Sequence, residues 1–486
     1  MIPTPDISWI SILPEVVLAL GAVAVLLVEV QWKPEARVIG TVATSSIVFA
    51  GAFSVLQWAE ASDAVAFGQT GDLVVFSGMI VMDGLAVFGR FALLATTALG
   101  LMAGWRYLES LGRRAAEAIA LVLLATAGFS IMISSNNLVM LFLGLEVGSI
   151  SLYVLAGMSR ERARSDEAAM KYFLLGSFAS ALFIYGVALL YAGTGQFEIL
   201  AISAFLRSNV VLTPAVLLIG VGLVIVGLGF KVSAAPFHSW APDVYQGAPA
   251  GVVGYMAAMA KIAGFVAIAR ILLTGLETMG GQWRPLLGGI AALSMVVGST
   301  LALVQDDVRR MLAYSGVAHA GFIMTGVVGN STRGVLFYLA VYGIQLVGSF
   351  AVVAAVSGPG NTESTLDSYR GLSRRSPALA ASFAILLLGM AGLPVTAGFV
   401  AKFGVFAEAW VAGYEWLVIV AVLASVIAFA FYLRIIVMMY MAESDEPELV
   451  VPAMVKLVLA AAVITTILWG VLPGSLLDLA TDALPL

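Results

Sequence analysis

Four ionisable residues stand deep inside apolar stretches of this 486-residue chain: Glu146, Lys231, Lys261 and Lys402. Burial away from water disfavours the charged form of such groups. For a lysine, a carboxylate brought close restores it. Two unit charges about 7 Å apart at an effective dielectric of 20 interact by roughly 2.4 kcal/mol. Moving Glu146 towards or away from Lys231 would therefore switch the amine between holding and releasing a proton. Three deep cations cannot all pair with one glutamate, so structural salt bridging does not account for the set, whereas proton handling does. His238 and His319, the only two histidines, share this apolar context. Imidazole titrates near pH 6.5 when unperturbed. Each histidine thus has two readings, a hydrogen-bonded core residue or a proton relay between lysines.

Two of the lysines stand beside helix-breaking sequence. Gly227-Leu-Gly-Phe-Lys231-Val-Ser-Ala-Ala-Pro236-Phe-His238 runs on to Pro242, Asp243 and Pro249. A proline at 236 removes one backbone donor and clashes with the carbonyl of Val232. The freed groups need water or side chains, which predicts a hydrated pocket near the membrane midplane. Gly389-Met-Ala-Gly-Leu-Pro394 followed by Lys402 repeats the pairing of proline and lysine. Gly144 and Gly148 flank Glu146 in a Gly-x-x-x-Gly pattern, which predicts that another helix can approach the carboxylate closely.

The elements that must position these residues are membrane helices. The chain is 61% hydrophobic and 11% charged, where soluble domains carry about 25% charged residues. Apolar runs of about 20 residues recur along its length. The predicted class is an all-α polytopic membrane protein of about fourteen spans, at roughly 10–30, 38–58, 80–104, 115–133, 136–157, 168–192, 211–245, 249–274, 285–304, 308–328, 333–357, 377–411, 416–441 and 452–472. The seventh and twelfth are near 35 residues and hold an internal proline, so both read as broken helices. Each is the fourth member of a five-span group, and an odd number of spans per group inverts the second relative to the first. The expected organisation is three N-terminal helices (1–110), a first five-helix repeat (111–280), a second, inverted one (281–445) and a C-terminal helix (446–486). Matched discontinuous helices in inverted repeats point to ion sites near the midplane.

Basic residues set the orientation. Loops after odd-numbered spans carry thirteen Lys and Arg, among them Arg113, Arg160 and Arg374, and the opposite loops carry Arg207, Arg284 and Arg333. The odd loops are expected in the cytoplasm and both termini on the other side. Arg270, Arg434 and Lys456 stand near span ends and read as snorkelling anchors. Lys171 reads as either an anchor or a pathway entrance. Asp83 and Arg90, seven apart on one face, read as a structural pair or a subunit contact. Asp243 is expected to cap the end of span 7. Met1 to Trp9 hold no Lys or Arg, so the first apolar run is expected to be retained rather than cleaved as a signal peptide. The absence of cysteine excludes iron–sulfur clusters, thiolate metal sites and disulfides. Two histidines make a zinc or multi-haem site untenable, and no dinucleotide or phosphate-loop pattern is present. No catalytic, cofactor-binding, metal-binding or nucleic-acid-binding residues are assigned.

The glutamate on span 5, the lysine before a proline break on span 7, the lysine on span 8 and the lysine on broken span 12 resemble the antiporter-like subunits of respiratory complex I. The pattern Lys231-x4-Pro236-Phe-His238-x-Trp240-x-Pro242-Asp243-x-Tyr245 carries the resemblance, which covers essentially the whole chain. Within that family the length, the lack of a long C-terminal extension and a lysine rather than a glutamate on span 12 resemble the subunit N branch of the bacterial NADH–quinone oxidoreductases. Subunits of Mrp-type cation/proton antiporters share nearly the same pattern and supply the alternative. The resemblance implies a proton-translocating subunit in a bacterial cytoplasmic (inner) membrane. It implies Glu146 and Lys231 as a coupled pair, Lys261 as the central relay, Lys402 as the link to the exit side or the next subunit, and Lys171 as an additional lysine of the family. NADH, FMN, iron–sulfur clusters and quinone are then expected in partner subunits, with neighbouring antiporter-like subunits, lipids and protons as this chain's own partners.

Overall fold

The computed structural model describes residues 8–159, 162–209, 214–358, 364–444 and 447–484. Of the sequence expectations, Arg160, the stretch before Ser8, positions 211–213 of span 7 and the boundary at 445–446 lie outside the described residues. The chain begins with α1 (Leu13–Trp32), α2 (Ala36–Ala66), α3 (Gly84–Ala103) and the short α4 (Trp105–Ser110). Then come α5 (Ala115–Ser134), α6 (Leu138–Ala156), α7 (Ala163–Thr194), the short α8 (Ile199–Ser208), α9 (Pro214–Lys231), α10 (Trp240–Gly247) and α11 (Ala250–Ala269). The second half holds α12 (Gly280–Leu303), α13 (Val308–Val328), α14 (Thr332–Ser357), the one-turn α15 (Leu372–Arg375), α16 (Pro377–Ala391), α17 (Ala397–Val411) and α18 (Glu415–Met441). α19 (Ala453–Val471) and α20 (Gly474–Asp482) close the chain. One hairpin, Val74–Val75 against Ile80–Val81, is the only sheet among the described residues.

Among the described residues, thirteen helical segments are long and apolar enough to cross a membrane. α16 and α17, fifteen residues each, are individually too short and together make the fourteenth crossing. The helices start where a side chain can take up free backbone N–H groups. Asp83 accepts from the Ala86 N–H at the head of α3, and Asn137, Asp307 and Ser331 do the same for α6, α13 and α14. Leucines, valines and phenylalanines such as Leu27, Phe178 and Val426 are exposed on the outer face. Such a surface suits lipid and not water.

α11, α13 and α14 are buried almost all round and form the centre, while α1, α2, α7 and α19 lie at the rim. In each five-helix group the first helix packs on the second, the third on the broken fourth, and the first on the fifth. The N-terminal helices join the first group through Arg90. Its guanidinium donates to Glu15 Oε1 at 2.6 Å and Ser130 Oγ at 2.7 Å, and also to Gln57, so α1, α2, α3 and α5 meet at one buried cation.

Several expectations change here. Asp83 and Arg90 do not pair, because seven residues separate them by about two turns along the axis. Asp83 instead holds Arg270, both guanidinium nitrogens donating at 2.7 Å. Arg270 therefore does not snorkel: it is 3% exposed and also donates to the Ile133 carbonyl. The glycine pair does admit a close helix, but not at the carboxylate. A Cβ on Gly144 would meet the Met132 nitrogen at 2.6 Å, so the glycine face seats α5. Glu146, two residues from each glycine, points about 200° round the helix and meets Ser180 of α7. Asp243 stands in the first turn of α10 rather than at the end of the span.

Candidate functional site

α9 ends at Lys231, and α10 starts at Trp240, so the first break runs through Val232–Ser239. The backbone groups it frees are taken up. The Ser233 N–H donates to the Phe230 carbonyl and the Ala234 N–H to the Gly229 carbonyl. The Ala235 N–H donates to Ser294 Oγ of α12 at 2.9 Å, and the Trp240 indole N–H to the Phe230 carbonyl at 3.1 Å. The Ala235–Pro236 peptide is cis. The Val232 carbonyl, the group Pro236 was expected to release, accepts from Lys261 Nζ at 2.8 Å. Lys261 also donates to Ser233 Oγ at 3.1 Å and is 1% exposed. A cation at the carboxyl end of a half-helix meets the negative end of its dipole.

The second break repeats this arrangement. α16 ends at Ala391, and its carbonyl accepts from Lys402 Nζ at 2.9 Å. Lys402 lies on the far side of the break, in α17, 5% exposed. Gly392 has φ +88°, and a Cβ there would meet the Lys402 stem at 3.0 Å, so a glycine is needed for both backbone and space. Ser425 Oγ lies 3.4 Å from Lys402 Nζ, which also sits 4.6 Å over the Phe322 ring. Each broken helix thus has a lysine on a carbonyl at the edge of the gap, the first inside it (Val232) from α11 in one case and the last before it (Ala391) from α17 in the other.

Between the two lysines lies His319 of α13, 2% exposed. Its Nδ1 is 2.8 Å from the Tyr338 hydroxyl and its Nε2 is 3.3 Å from the Tyr432 hydroxyl. Tyr432 also bonds Ser315. The imidazole stacks on Tyr342 at 4.3 Å. The Tyr342 hydroxyl is buried without a partner among the described residues. It and Lys261 Nζ both close on Gly316, where a Cβ would lie 3.4 and 3.5 Å from them. Both Lys261 and Lys402 act on the imidazole through space.

On the other side of Lys261 stands Lys231, 3% exposed, its stem passing Gly264 of α11. Its Nζ donates to Ser149 Oγ of α6 at 2.8 Å and sits 4.7 Å over the Phe129 ring. Glu146, one turn before Ser149, is half-buried, accepts from the Ser180 hydroxyl and acts on Lys231 through space rather than by contact. The result is a row of ionisable side chains through the molecule: Glu146, Lys231, Lys261, His319, Lys402.

Two residues singled out from the sequence lie off that line. Lys171 is at the charged rim, its side chain 41% exposed, paired at 2.7 Å with Glu167 and with Asp243 of α10. Asp243 also pairs with Arg310 at 2.7 Å. His238, in the first break, packs beside Tyr314, its Nδ1 buried without a partner, and no hydrogen bond joins it to Lys231 or Lys261 among the described residues. Sequence reasoning missed Ser149, Tyr338, Tyr342 and Tyr432. Tyr338 and Tyr342, four apart in an apolar span, carried a signal: two hydroxyls on one helix face. Ser149 and Tyr432 carried none. No cluster able to hold a metal ion occurs among the described residues.

Residues 135–428, which span this line, match the family model described as NADH:quinone oxidoreductase/Mrp antiporter, TM. The chain is 38% identical over 479 residues to NADH-quinone oxidoreductase subunit N 1 of Solibacter usitatus, covering 97% of this chain and 96% of that one. It is similar to a chain of the respiratory complex I structure from Thermus thermophilus with bound aureothin, at TM-score 0.78 and 30% identity, covering 96% and 98% of the two chains. A chain of the Mrp complex from Dietzia superposes at TM-score 0.82 with 20% identity, covering 98% and 97%, a likeness of fold alone.

Proposed function

The chain belongs to the NADH:quinone oxidoreductase/Mrp antiporter family of membrane subunits, and on that premise we propose that it is a proton-translocating membrane subunit of a multisubunit NADH–quinone oxidoreductase. The relatives that are similar over nearly the full length bear that name, whereas the Mrp likeness is one of fold. The observation that carries the mechanism is the placing of Lys261 and Lys402 on the carbonyls of two broken helices with His319 between them.

Protons move along the line from Glu146 and Lys231 through Lys261 and His319 to Lys402. Tyr338, Tyr342 and Tyr432 supply hydroxyls beside the imidazole. Quinone reduction elsewhere in the complex drives the changes in charge and hydration that move them. NADH, FMN, iron–sulfur clusters and quinone belong to partner subunits; for the clusters, this chain has no cysteine to ligate one. The two five-helix groups are inverted repeats, each contributing one break. The chain lies in a bacterial inner membrane with its arginine-rich loops in the cytoplasm and both termini opposite. His238 and Lys171 act outside the central line, Lys171 as an anchor of α7 to α10.

The test is Lys231→Ala in the assembled complex. Proton transport coupled to NADH oxidation in vesicles is expected to fall sharply per electron. A near-normal proton-to-electron ratio would falsify the mechanism, and sodium-dependent proton exchange without NADH oxidation would return the chain to the antiporters.

A further inference from the structure

The line of lysines leaves one large feature of the molecule unused. α19 packs on α3 and α14, yet α2 and α19 are held apart. Between them, floored by α3 and closed at one end by α4, lies a cleft of about 860 Å³. Its walls are apolar, with Ile47 and Val48 from α2, Leu101 and Met102 from α3, and Met454 and Val455 from α19. A smaller cleft of about 310 Å³, lined by Trp58, Phe91 and Trp469, continues between the same helices towards the other face.

The mouth of the larger cleft is not apolar. Arg37, in the first turn of α2, and Arg106, in α4, both line it. Both are exposed, and neither guanidinium has an ion pair or hydrogen bond among the described residues. The one carboxylate at the mouth, Glu109, accepts from the Trp105 indole N–H at 2.7 Å. Trp105 also lines the cleft, and indoles gather at the headgroup level of a bilayer. Two unpartnered guanidiniums above an apolar trough fit an anionic headgroup whose tails run down the trough. Planar guanidinium groups suit phosphate oxygens, and basic pockets between helices on the cytoplasmic side favour anionic lipid.

We propose that this cleft is a binding site for an anionic phospholipid, its phosphate between Arg37 and Arg106 and its acyl chains along α2, α3 and α19. A lipid there seals the gap between the C-terminal helix and the N-terminal three. The site goes beyond proton transfer and rests on the chain lying in a membrane with its basic loops in the cytoplasm.

The experiment uses the assembled, delipidated complex and photoactivatable phosphatidylglycerol, with phosphatidylcholine of the same acyl chains for comparison. Cross-linking is read on peptides holding residues 98–106 and 453–455. Phosphatidylglycerol is expected to label them about tenfold more than phosphatidylcholine, taking roughly one order of magnitude from two arginines near an anionic headgroup. Arg37→Gln with Arg106→Gln should remove that preference and leave phosphatidylcholine labelling and NADH oxidation unchanged. Thr44→Trp, an exposed residue lining the cleft, should fill the trough and lower labelling by both lipids. Equal labelling by the two lipids in the wild-type complex overturns the proposal, whether or not the double variant assembles. So does label from either lipid that is confined to a neighbouring subunit's peptides and missing from these, which assigns the cleft to a protein helix.

Discussion

Lys231, Lys261 and Lys402 share a physical situation that a residue type alone does not convey. Each ammonium is buried among hydroxyls, carbonyls and aromatic faces, and none has a carboxylate within ion-pair distance among the described residues. Such groups solvate an amine in either protonation state, whereas a bonded carboxylate would fix the charged one. Tyr342 and Tyr338 separate a transfer role from a structural one. Tyr342 loses no hydrogen bond on becoming Phe and sheds a buried unpartnered hydroxyl, so Tyr342→Phe should leave stability unchanged or raise it by up to about 1–3 kcal/mol yet slow proton transport relative to electron flow. Tyr338→Phe strips a partner from buried His319 and should cost about 1–3 kcal/mol in addition; thermal unfolding and vesicle acidification measured on the same preparations would expose a reversed order. The deep charges were legible because an ionisable group in apolar sequence is conspicuous. Partner choice was not: Asp83 and Arg270 are 187 residues apart, and nothing in either local sequence names the other. Removing one partner of such a buried pair costs about 3–5 kcal/mol. Asp83→Ala should therefore sharply lower the melting temperature or block assembly, and a stability equal to wild type would show the pair to be incidental.

At the level of elements, both breaks could be read from a proline beside a lysine in an overlong apolar span, and they occur at Val232–Ser239 and Gly392–Thr396. The sequence could not say what satisfies the opened backbone. The expectation named water or side chains without saying which, and several of the groups meet side chains from other helices: Ser294 from α12, Lys261 from α11 and Lys402 from α17. That information is tertiary, carried by residues up to 59 positions away. The glycines around Glu146 show the reverse error, a correct motif given the wrong partner because a two-residue step crosses the helix. Since the glycine face seats α5, Gly144→Leu should push α5 from α6 and cost about 1–3 kcal/mol. The proton-to-electron ratio of whatever complex assembles should stay near normal; a lost ratio in a stably assembled variant would instead tie the glycines to the carboxylate.

Across the whole molecule three buried lysines stand without an ion pair among the described residues, Lys231 of α9, Lys261 of α11 and Lys402 of α17, beside the buried pairs Arg90–Glu15 and Arg270–Asp83, while Lys171–Asp243–Arg310 forms an ion-paired cluster at the rim. The bias of basic loops was visible in composition, and it makes a topological prediction that the cysteine-free chain suits well. Ser110→Cys, beside Arg106 and Arg113, should react with an impermeant maleimide only in inside-out vesicles, and Ser208→Cys, beside Arg207, only in right-side-out ones. The opposite pattern would invert the chain in the membrane. The seating of Lys261 on the Val232 carbonyl has a further consequence at this scale. The amine that carries the proton in the proposed mechanism also clasps the open end of a half-helix, so proton affinity and helix geometry are two readings of one free energy. A protonated Lys261 tightens the gap, and whatever pulls the gap open must by reciprocity loosen the proton. Mechanical work done on α9 and α10 from a distant part of an assembly therefore reaches the proton without any charge having to travel to it.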